Sequence, residues 1–410
     1  MGGARPGGAG AAAAGVGAGA GAAGAGSPPS PGSQLPQDAP PAAAVPSGAL
    51  PQRVLVAMSG GVDSSVAASL LHEAGYDCAG ATMRLIDDAL IGSEGEGGCC
   101  SLADVEDARA VCVRLGIPHY AFNFTEDFAA QVVERFVSAY EHGATPNPCI
   151  DCNRFLKFER LLERAHQTGF DYVATGHYVR TERQGATGRY LLKRGIDPEK
   201  DQSYVLYAMT QGQLAHTLFP LGGLTKRQVR DRARAGGLAT AEKRESQDIC
   251  FVPDGAYGAF IRRHTGRSYA QGPLVDEQGR QLGTHQGVID FTVGQRKGIG
   301  VAAAHPLYVR EIDPVRNRVV ICPEQGLYAR TAVVSDLNLI PFDALDGPLR
   351  VSAKHRYRQS NRPAVVRQVD DDTLRIDFDE PQKAMAKGQA LVLYDGDYVI
   401  GGGTIADTMG

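Results

Sequence analysis

The stretch from Arg53 to Gly75 constrains the fold more than any other part of the chain. "RVLVAM" is a short apolar run rich in β-branched residues, the pattern of a strand buried on both faces. "SGGVDSS" follows at Ser59–Ser65, and then "VAASLLHEAGY", where Val66, Leu70, Leu71 and Ala74 recur at helical spacing and Gly75 marks a stop. A strand that passes through small residues directly into a helix aims backbone N–H groups and the positive helix end at the turn, which favours an anion there. Gly60 and Gly61 allow close approach of phosphate, and the hydroxyls of Ser59, Ser64 and Ser65 are candidate donors. There is no Gly-Lys-Ser/Thr, so this is not the phosphate loop of the common kinases and GTPases. A plain tight turn needs one glycine at most, and the combination here points to phosphate.

The alternation continues. "CAGATM" (78–83) reads as a strand, 102–117 as an amphipathic helix, "HYAFNF" as a strand, 128–143 as a helix, "FLKFERLLERAHQTG" as another, and "DYVATGHY" as a strand. Strands alternating with helices predict an α/β domain, a Rossmann-like parallel sheet covered on both faces. After about residue 255 the pattern turns to short extended runs, and from 305 to 408 it reads as all-β, a small barrel. The division expected is a tail at 1–50, a nucleotide-binding domain at 51–255, a small linker domain at 256–322 and a C-terminal β-barrel at 323–410. Ala, Gly and Pro make up 37 of the first 50 residues, which predicts a disordered tail with neither a signal-peptide nor a transit-peptide pattern.

The net charge of −4 argues against a chain coated in nucleic acid but leaves room for a local basic strip. No apolar run is long enough for a membrane span. Eight irregularly spaced cysteines in a chain of 410 residues fit a reducing, cytoplasmic setting. Cys78, Cys112 and Cys322 lie within apolar runs and read as buried small hydrophobes. Cys99 and Cys100 follow a Gly/Glu-rich loop and are given no role. Cys149 and Cys152, in "TPNPCIDCNRFLKF", form a Cys-x-x-Cys pair ahead of a helix. Metal or cluster ligation, disulfide exchange and sulfur transfer all use such a pair. In the helix beyond, Phe155, Phe158, Leu161, Leu162 and Ala165 make a core face rather than an RNA platform.

"SGGVDSS" after a first strand resembles the pyrophosphate loop of the ATP pyrophosphatase superfamily, whose members adenylate a carbonyl oxygen. Further blocks narrow the resemblance: "TPNPCIDCNRFLKF", "ATGHYVR", "GIDPEKDQSYVLY", "ESQDICFVPDG", "TVGQRKGIG", "KHRYRQ" and "KGQALVLYDGDYVIGGGTI", in this order. Together they closely resemble the bacterial tRNA-specific 2-thiouridylases, from about Arg53 to near the C-terminus. The resemblance implies that ATP, with Mg²⁺, activates the C2 oxygen of the wobble uridine of tRNA and that sulfur then replaces it. It assigns ATP contacts to Ala57, Met58, Ser59, Gly60, Gly61, Val62, Asp63, Ser64, Met83 and Gly176, with Asp63 a candidate Mg²⁺ partner. It assigns the persulfide to Cys250 and the resolving thiol to Cys152, fed by a persulfide donor protein such as a cysteine desulfurase or a relay. It places Asn147, Pro148 and Cys149 at the target base, and tRNA contacts at His177, Lys200, Asp201, Gln202, Arg356, Tyr357 and Gln389. Seen by themselves, Met83 reads as core packing and His177 as a hydrogen-bonded loop histidine.

Cys149 departs from the family members that carry aspartate there. A cysteine can also move protons, or it can join Cys152 and Cys250 as three ligands of a [4Fe–4S] cluster. Both readings stay open on sequence. "AKHRYRQSNRPAVVR" (353–367) carries five basic residues and no acid, and a strand there would set Arg356 and Arg358 on one face and Tyr357 on the other. "TKRQVRDRARAGG" (225–237) is a second basic stretch, on a helix. Two rivals remain: an amide-forming ligase on the same nucleotide domain, and an RNA-binding or iron–sulfur module without adenylation.

Overall fold

The computed structural model describes residues 52–86, 102–243, 249–252 and 255–410. The expectations for the tail, Cys99 and Cys100 lie outside the described residues.

Among the described residues, the first part of the chain holds seven strands: β1 Arg53–Ala57, β2 Asp77–Arg84, β3 His119–Asn123, β4 Tyr172–Ala174, β5 Val179–Arg183, β6 Tyr190–Arg194 and β7 Thr217–Leu218. Five of them form a parallel sheet in the order β3-β2-β1-β4-β7. Alternation along β1 divides the core: Leu55 packs on one face, while Val54 and Val56 pack on the other beside helix α1 (Val62–Glu73). All three are fully buried, worth roughly 1.5–3 kcal/mol each, which is why the run is apolar without a polar face. The sheet order reverses between β1 and β4. Doubly wound sheets bind their ligands at such a switch point, beyond the carboxyl ends of the two strands.

A four-stranded sheet follows, built from β8 Gly272–Val275, β9 Gln281–His285, β10 Tyr308–Asp313 and β11 Arg318–Cys322, in the order β10-β11-β8-β9. The first two runs of the stretch expected as all-β from 305 onward therefore join this middle sheet, because β11 pairs in parallel with β8. The remaining strands, β12 Tyr328–Leu339, β13 Leu349–Lys354, β14 Arg362–Asp370, β15 Thr373–Lys383, β16 Ala390–Asp395 and β17 Tyr398–Met409, form an antiparallel barrel. It closes because β12 pairs with both β15 and β17. The β5–β6 hairpin extends this sheet at Tyr398 and Lys193. A shared core joins hairpin, barrel and cysteine helix: Ile150, Phe158, Leu192, Tyr204, Val392 and Tyr394 pack together.

Candidate functional site

At the switch point the backbone of "SGGVDSS" is fixed from several directions. Gly60 has φ +68°, and a Cβ there would collide with the backbone of Asp104, whose Cα would lie 2.7 Å away. Gly176, in the turn after β4, approaches the start of α1 so closely that a Cβ would stand 2.8 Å from the Ser64 nitrogen. The crowding comes from the protein's own backbone as well as from any ligand. Gly61 is extended at the helix N-cap and makes no side-chain cap, so the first N–H groups of α1 point out of the helix unbonded by a capping residue.

The serines divide differently from the sequence expectation. Ser64 Oγ donates to the Gly61 carbonyl at 3.1 Å and accepts from Ser59 N–H at 3.3 Å. Ser65 Oγ donates to the same carbonyl at 2.8 Å and accepts from Thr240 Oγ1 at 3.0 Å. Both hydroxyl protons brace the loop, and only Ser59 is exposed. Donors for an anion are therefore mainly backbone N–H groups. Asp63 also departs from its expected role. Its carboxylate accepts from Tyr178 Oη at 2.7 Å and from Lys226 Nζ at 2.8 Å on each oxygen. A magnesium ion would have to displace the ammonium, so Asp63 as it stands does not fit a Mg²⁺ ligand. Tyr178, Lys226 and Thr240 were missed by sequence reasoning. They lie 115, 163 and 175 positions from their partners, and no local pattern marks these pairings.

Ala57, Met58 and Val62 carry the chain into and out of this loop. Met58 and Val62 are buried. Met83 is 7 % exposed and packs in the core below the sheet, as its residue type suggests. His177 is buried, with Nδ1 2.8 Å from Thr175 Oγ1, and burial beside Lys157 pushes its pKa well below the ordinary histidine value. It is a hydrogen-bonded loop histidine, neutral at neutral pH.

The cysteine helix starts at Pro148–Asp151 and continues π-wound through Cys152–Arg160. Asn147 caps it, its side chain accepting from Cys149 N–H at 3.2 Å, with Pro148 in the first turn. Cys149 is exposed, and Cys152 and Cys250 are half-buried. Cys152 and Cys250 pack against the same core cluster although 98 positions separate them in the chain. The neighbour Phe251 anchors the second segment, edge-on to Phe128 at 5.7 Å and Phe136 at 5.3 Å. Among the described residues, no group of three His, Cys, Asp or Glu side chains converges as a metal site. Cys78, Cys112 and Cys322 are buried, and burial pushes their thiols up to about 12, 11 and 11, respectively, so they stay protonated.

Asp151, between the two motif cysteines, was not singled out on sequence. Burial pushes its pKa up to about 6 against the pull of Arg135 and Arg154. It lines a cleft of about 620 Å³ with Asn147, Arg135, Arg154 and Asp336, where the helix meets the barrel. Asn147, Ile150, Asp151 and Arg154 share this face, and the cysteines lie on the other. The barrel also grips the preceding loop, as Thr145 N–H donates to the Lys387 carbonyl at 2.7 Å, two residues before Gln389.

The expected RNA residues fall into two kinds. Asp201 is buried and accepts from Gly195 N–H, Ser203 N–H and Ser203 Oγ, and Gln202 accepts from Tyr178 N–H, so both side chains shape the loop that follows β6. Lys200 is half-buried in the same loop. The stretch 355–361 is not a strand, so the alternating-face argument for it fails: it is the turn joining β13 to β14. Arg356, Tyr357 and Arg358 are all exposed on that turn. Lys354 lies beneath it, 5 % exposed, with Nζ within 5.4, 5.9 and 5.5 Å of the rings of Tyr204, Tyr357 and Tyr394. The helix Lys226–Ala235 is basic as expected, but Lys226 is committed to Asp63 and Arg234 to Asp231 and Glu242.

A parallel sheet with a glycine loop at its switch point, a cysteine pair on a following helix and two further β modules has the make-up of an ATP-pyrophosphatase-type enzyme. Models of three domains match the chain: tRNA methyl transferase HUP domain over residues 52–254, tRNA methyl transferase PRC-barrel domain over 258–323, and aminomethyltransferase beta-barrel domain over 329–405. The tRNA-specific 2-thiouridylase MnmA of Clostridioides difficile (strain 630) is 47% identical over 359 residues, covering 87% of this chain and 99% of the relative. That of Heliobacterium modesticaldum is 51% identical over 357 residues, 86% of this chain and 92% of the relative. A solved 4-thiouridine synthetase–RNA complex with bound ATP covers 49% of this chain and 45% of its own at 18% identity and a TM-score of 0.34, too slight a likeness to build on. The chain belongs to the tRNA-specific 2-thiouridylase family. No helix among the described residues is long and apolar enough to cross a membrane.

Proposed function

We propose that this protein is a cytoplasmic tRNA sulfurtransferase that thiolates C2 of the wobble uridine. Uracil C2 is a weak electrophile with a poor leaving group. The C2 oxygen attacks the α-phosphorus of ATP, pyrophosphate leaves toward the backbone N–H groups of Gly60–Ser64, and the oxygen becomes part of an AMP leaving group. A persulfide on Cys250, charged by a donor protein, attacks C2 through its terminal sulfur, and AMP departs. Cys152 thiolate then attacks Cys250 Sγ. The S–S bond to the base breaks, C2 keeps its sulfur, and a Cys152–Cys250 disulfide forms that a thiol reductant must reopen. Asn147, Pro148 and Cys149 present the target base, and Arg356, Tyr357 and Gln389 belong to the tRNA surface.

The observation that carries this reading is the packing of Cys152 and Cys250 against one core, with the anion loop at the switch point of the adjoining sheet. An amide-forming ligase would need neither thiol. The test is thiolation of unmodified tRNA by Cys250→Ser and Cys152→Ser variants, with pyrophosphate release followed in parallel. The expected result is no thiolated nucleoside from either variant, with pyrophosphate release retained. Normal thiolation by Cys250→Ser sinks the relay. Anaerobic purification with iron and sulfide assay, wild type against Cys149→Ser, decides between proton handling and cluster ligation at position 149.

A further inference from the structure

"TVGQRKGIG" is the one motif that the reaction leaves without a task. It lies in the middle module between the short helix Val288–Asp290 and β10. Its conformation is pinned at both ends. Gln295 Oε1 accepts from Thr292 N–H at 3.0 Å, Gln295 Nε2 donates to the Lys297 carbonyl at 3.0 Å, and the Gln295 carbonyl accepts from Val309 N–H at 2.9 Å. Ile299 is buried on the far side. Gly294, Gly298 and Gly300 all hold left-handed backbone, at φ +88°, +77° and +77°. What projects between these anchors is Arg296 and Lys297, both exposed.

The loop abuts the barrel turn. A Cβ on Gly294 would stand 2.8 Å from Ala384 Cβ and 3.3 Å from Arg356 Nη2. Arg356 in turn donates to the Ala384 carbonyl at 2.9 Å and lines a cleft of about 470 Å³ together with Arg358, Arg362 and one carboxylate, Glu380, which forms no ion pair with them. These cations differ from most of the exposed cations on the barrel strands. Arg350 pairs with Asp379, Arg367 and Arg375 pair with Asp377, and Lys383 pairs with Glu324. Arg296, Lys297, Arg356, Arg358 and Arg362 form no ion pair among the described residues, in a chain whose net charge is −4. Cations that outnumber the carboxylates beside them and form no ion pair are arranged for a polyanion from outside, and the pinning of the Gly294–Gly300 loop lowers the entropy lost on binding.

We propose that the Gly294–Gly300 loop of the middle module is an RNA phosphate contact, continuous with the arginine turn of the barrel, so that one cationic strip crosses the two modules. This rests on tRNA being the substrate. The test uses the full chain carrying Arg296→Ala and Lys297→Ala together, with tRNA binding measured over a series of salt concentrations. The log–log salt slope is expected to fall by about 1 to 2, and binding near physiological salt to weaken on the order of tenfold. KM for tRNA should rise, kcat at saturating tRNA should hold, and Lys297→Arg should restore most of the loss. An unchanged slope and affinity overturn the proposal. So does a loss of turnover seen only with a protein persulfide donor and not in tRNA binding, which would make the loop a docking site for that donor. Failure of the wild-type chain to thiolate tRNA at all would instead overturn the parent reading.

Discussion

The nucleotide loop and the barrel turn both face polyanions, and they are built in opposite ways. At Ser59–Ser65 the only charged side chain, Asp63, is neutralised by Lys226 and Tyr178, and two of the three serine hydroxyls are turned inward. Binding capacity there resides in backbone N–H groups whose positions are set by Gly60 and Gly176. On the turn between β13 and β14 the backbone is ordinary, and capacity resides in long arginines that form no ion pair among the described residues, although Glu380 lines the same cleft. A triphosphate must be held in one geometry for in-line displacement, so rigid dipoles suit it. An RNA backbone is long and variable in shape, so flexible, uncompensated cations suit it.

The largest effect that could break this contrast is expected from Gly60→Ala. A left-handed φ and a collision with the Asp104 backbone both oppose the methyl group. ATP-dependent thiolation should fall by about 100-fold or more, the scale of losing an aligned phosphate site. Retention of normal ATP binding in calorimetry would show that the cradle is not backbone-defined.

Asp151→Asn probes an intermediate case, an acid that two nearby arginines fail to compensate because burial prevails. Its folded pKa of about 6 lies above the ordinary 3.8, so the native state binds the proton more tightly than the unfolded chain. The resulting stability is full below the unfolded value and is lost as pH rises through about 6. Relative to wild type, Asp151→Asn should therefore gain about 2–3 kcal/mol on moving from pH near 4 to pH near 7.5, read by denaturant unfolding. Parallel curves for the two proteins would show that the charge is compensated after all.

Asp63→Asn should cost about 1–3 kcal/mol, since it leaves the nearly buried Lys226 ammonium without its carboxylate. A smaller loss, within about 0.5 kcal/mol, would mean that solvent already screens the pair. On the other side of the comparison, Arg358→Ala with Arg362→Ala should leave stability within about 0.5 kcal/mol while weakening tRNA binding on the order of tenfold and reducing its salt slope. The reverse outcome, loss of stability with binding intact, would make the turn structural.

Much of the fold was legible. β1 reads as doubly buried because no polar residue interrupts it, and the strand–helix alternation through residue 174 has the period of a parallel sheet. The assignment of 355–361 to a strand failed because a basic, alternating stretch has the same pattern whether it pairs or turns. Only the register of Leu349–Lys354 against Arg362–Val366 fixes the difference. For the same reason the all-β pattern from residue 305 runs without a break across β10 and β11, which the 256–322 division assigns to the linker domain: local sequence gives strand propensity, and the strand that β11 joins, β8, lies some 45 residues upstream. At the site, the glycines, cysteines and cations stood out as motifs. Lys226 and Tyr178 on Asp63, Thr240 on Ser65, and the burial of Asp151 did not.

By itself the sequence determined which residues carry chemistry and in what order, because small residues, thiols and arginines announce their capacities locally. The tertiary structure decided which of those capacities are spent internally and which are left for a ligand. Hydrogen bonds and ion pairs join residues more than a hundred positions apart, and only the folded chain says that Asp63 is neutralised while Arg356, Arg358 and Arg362 are not.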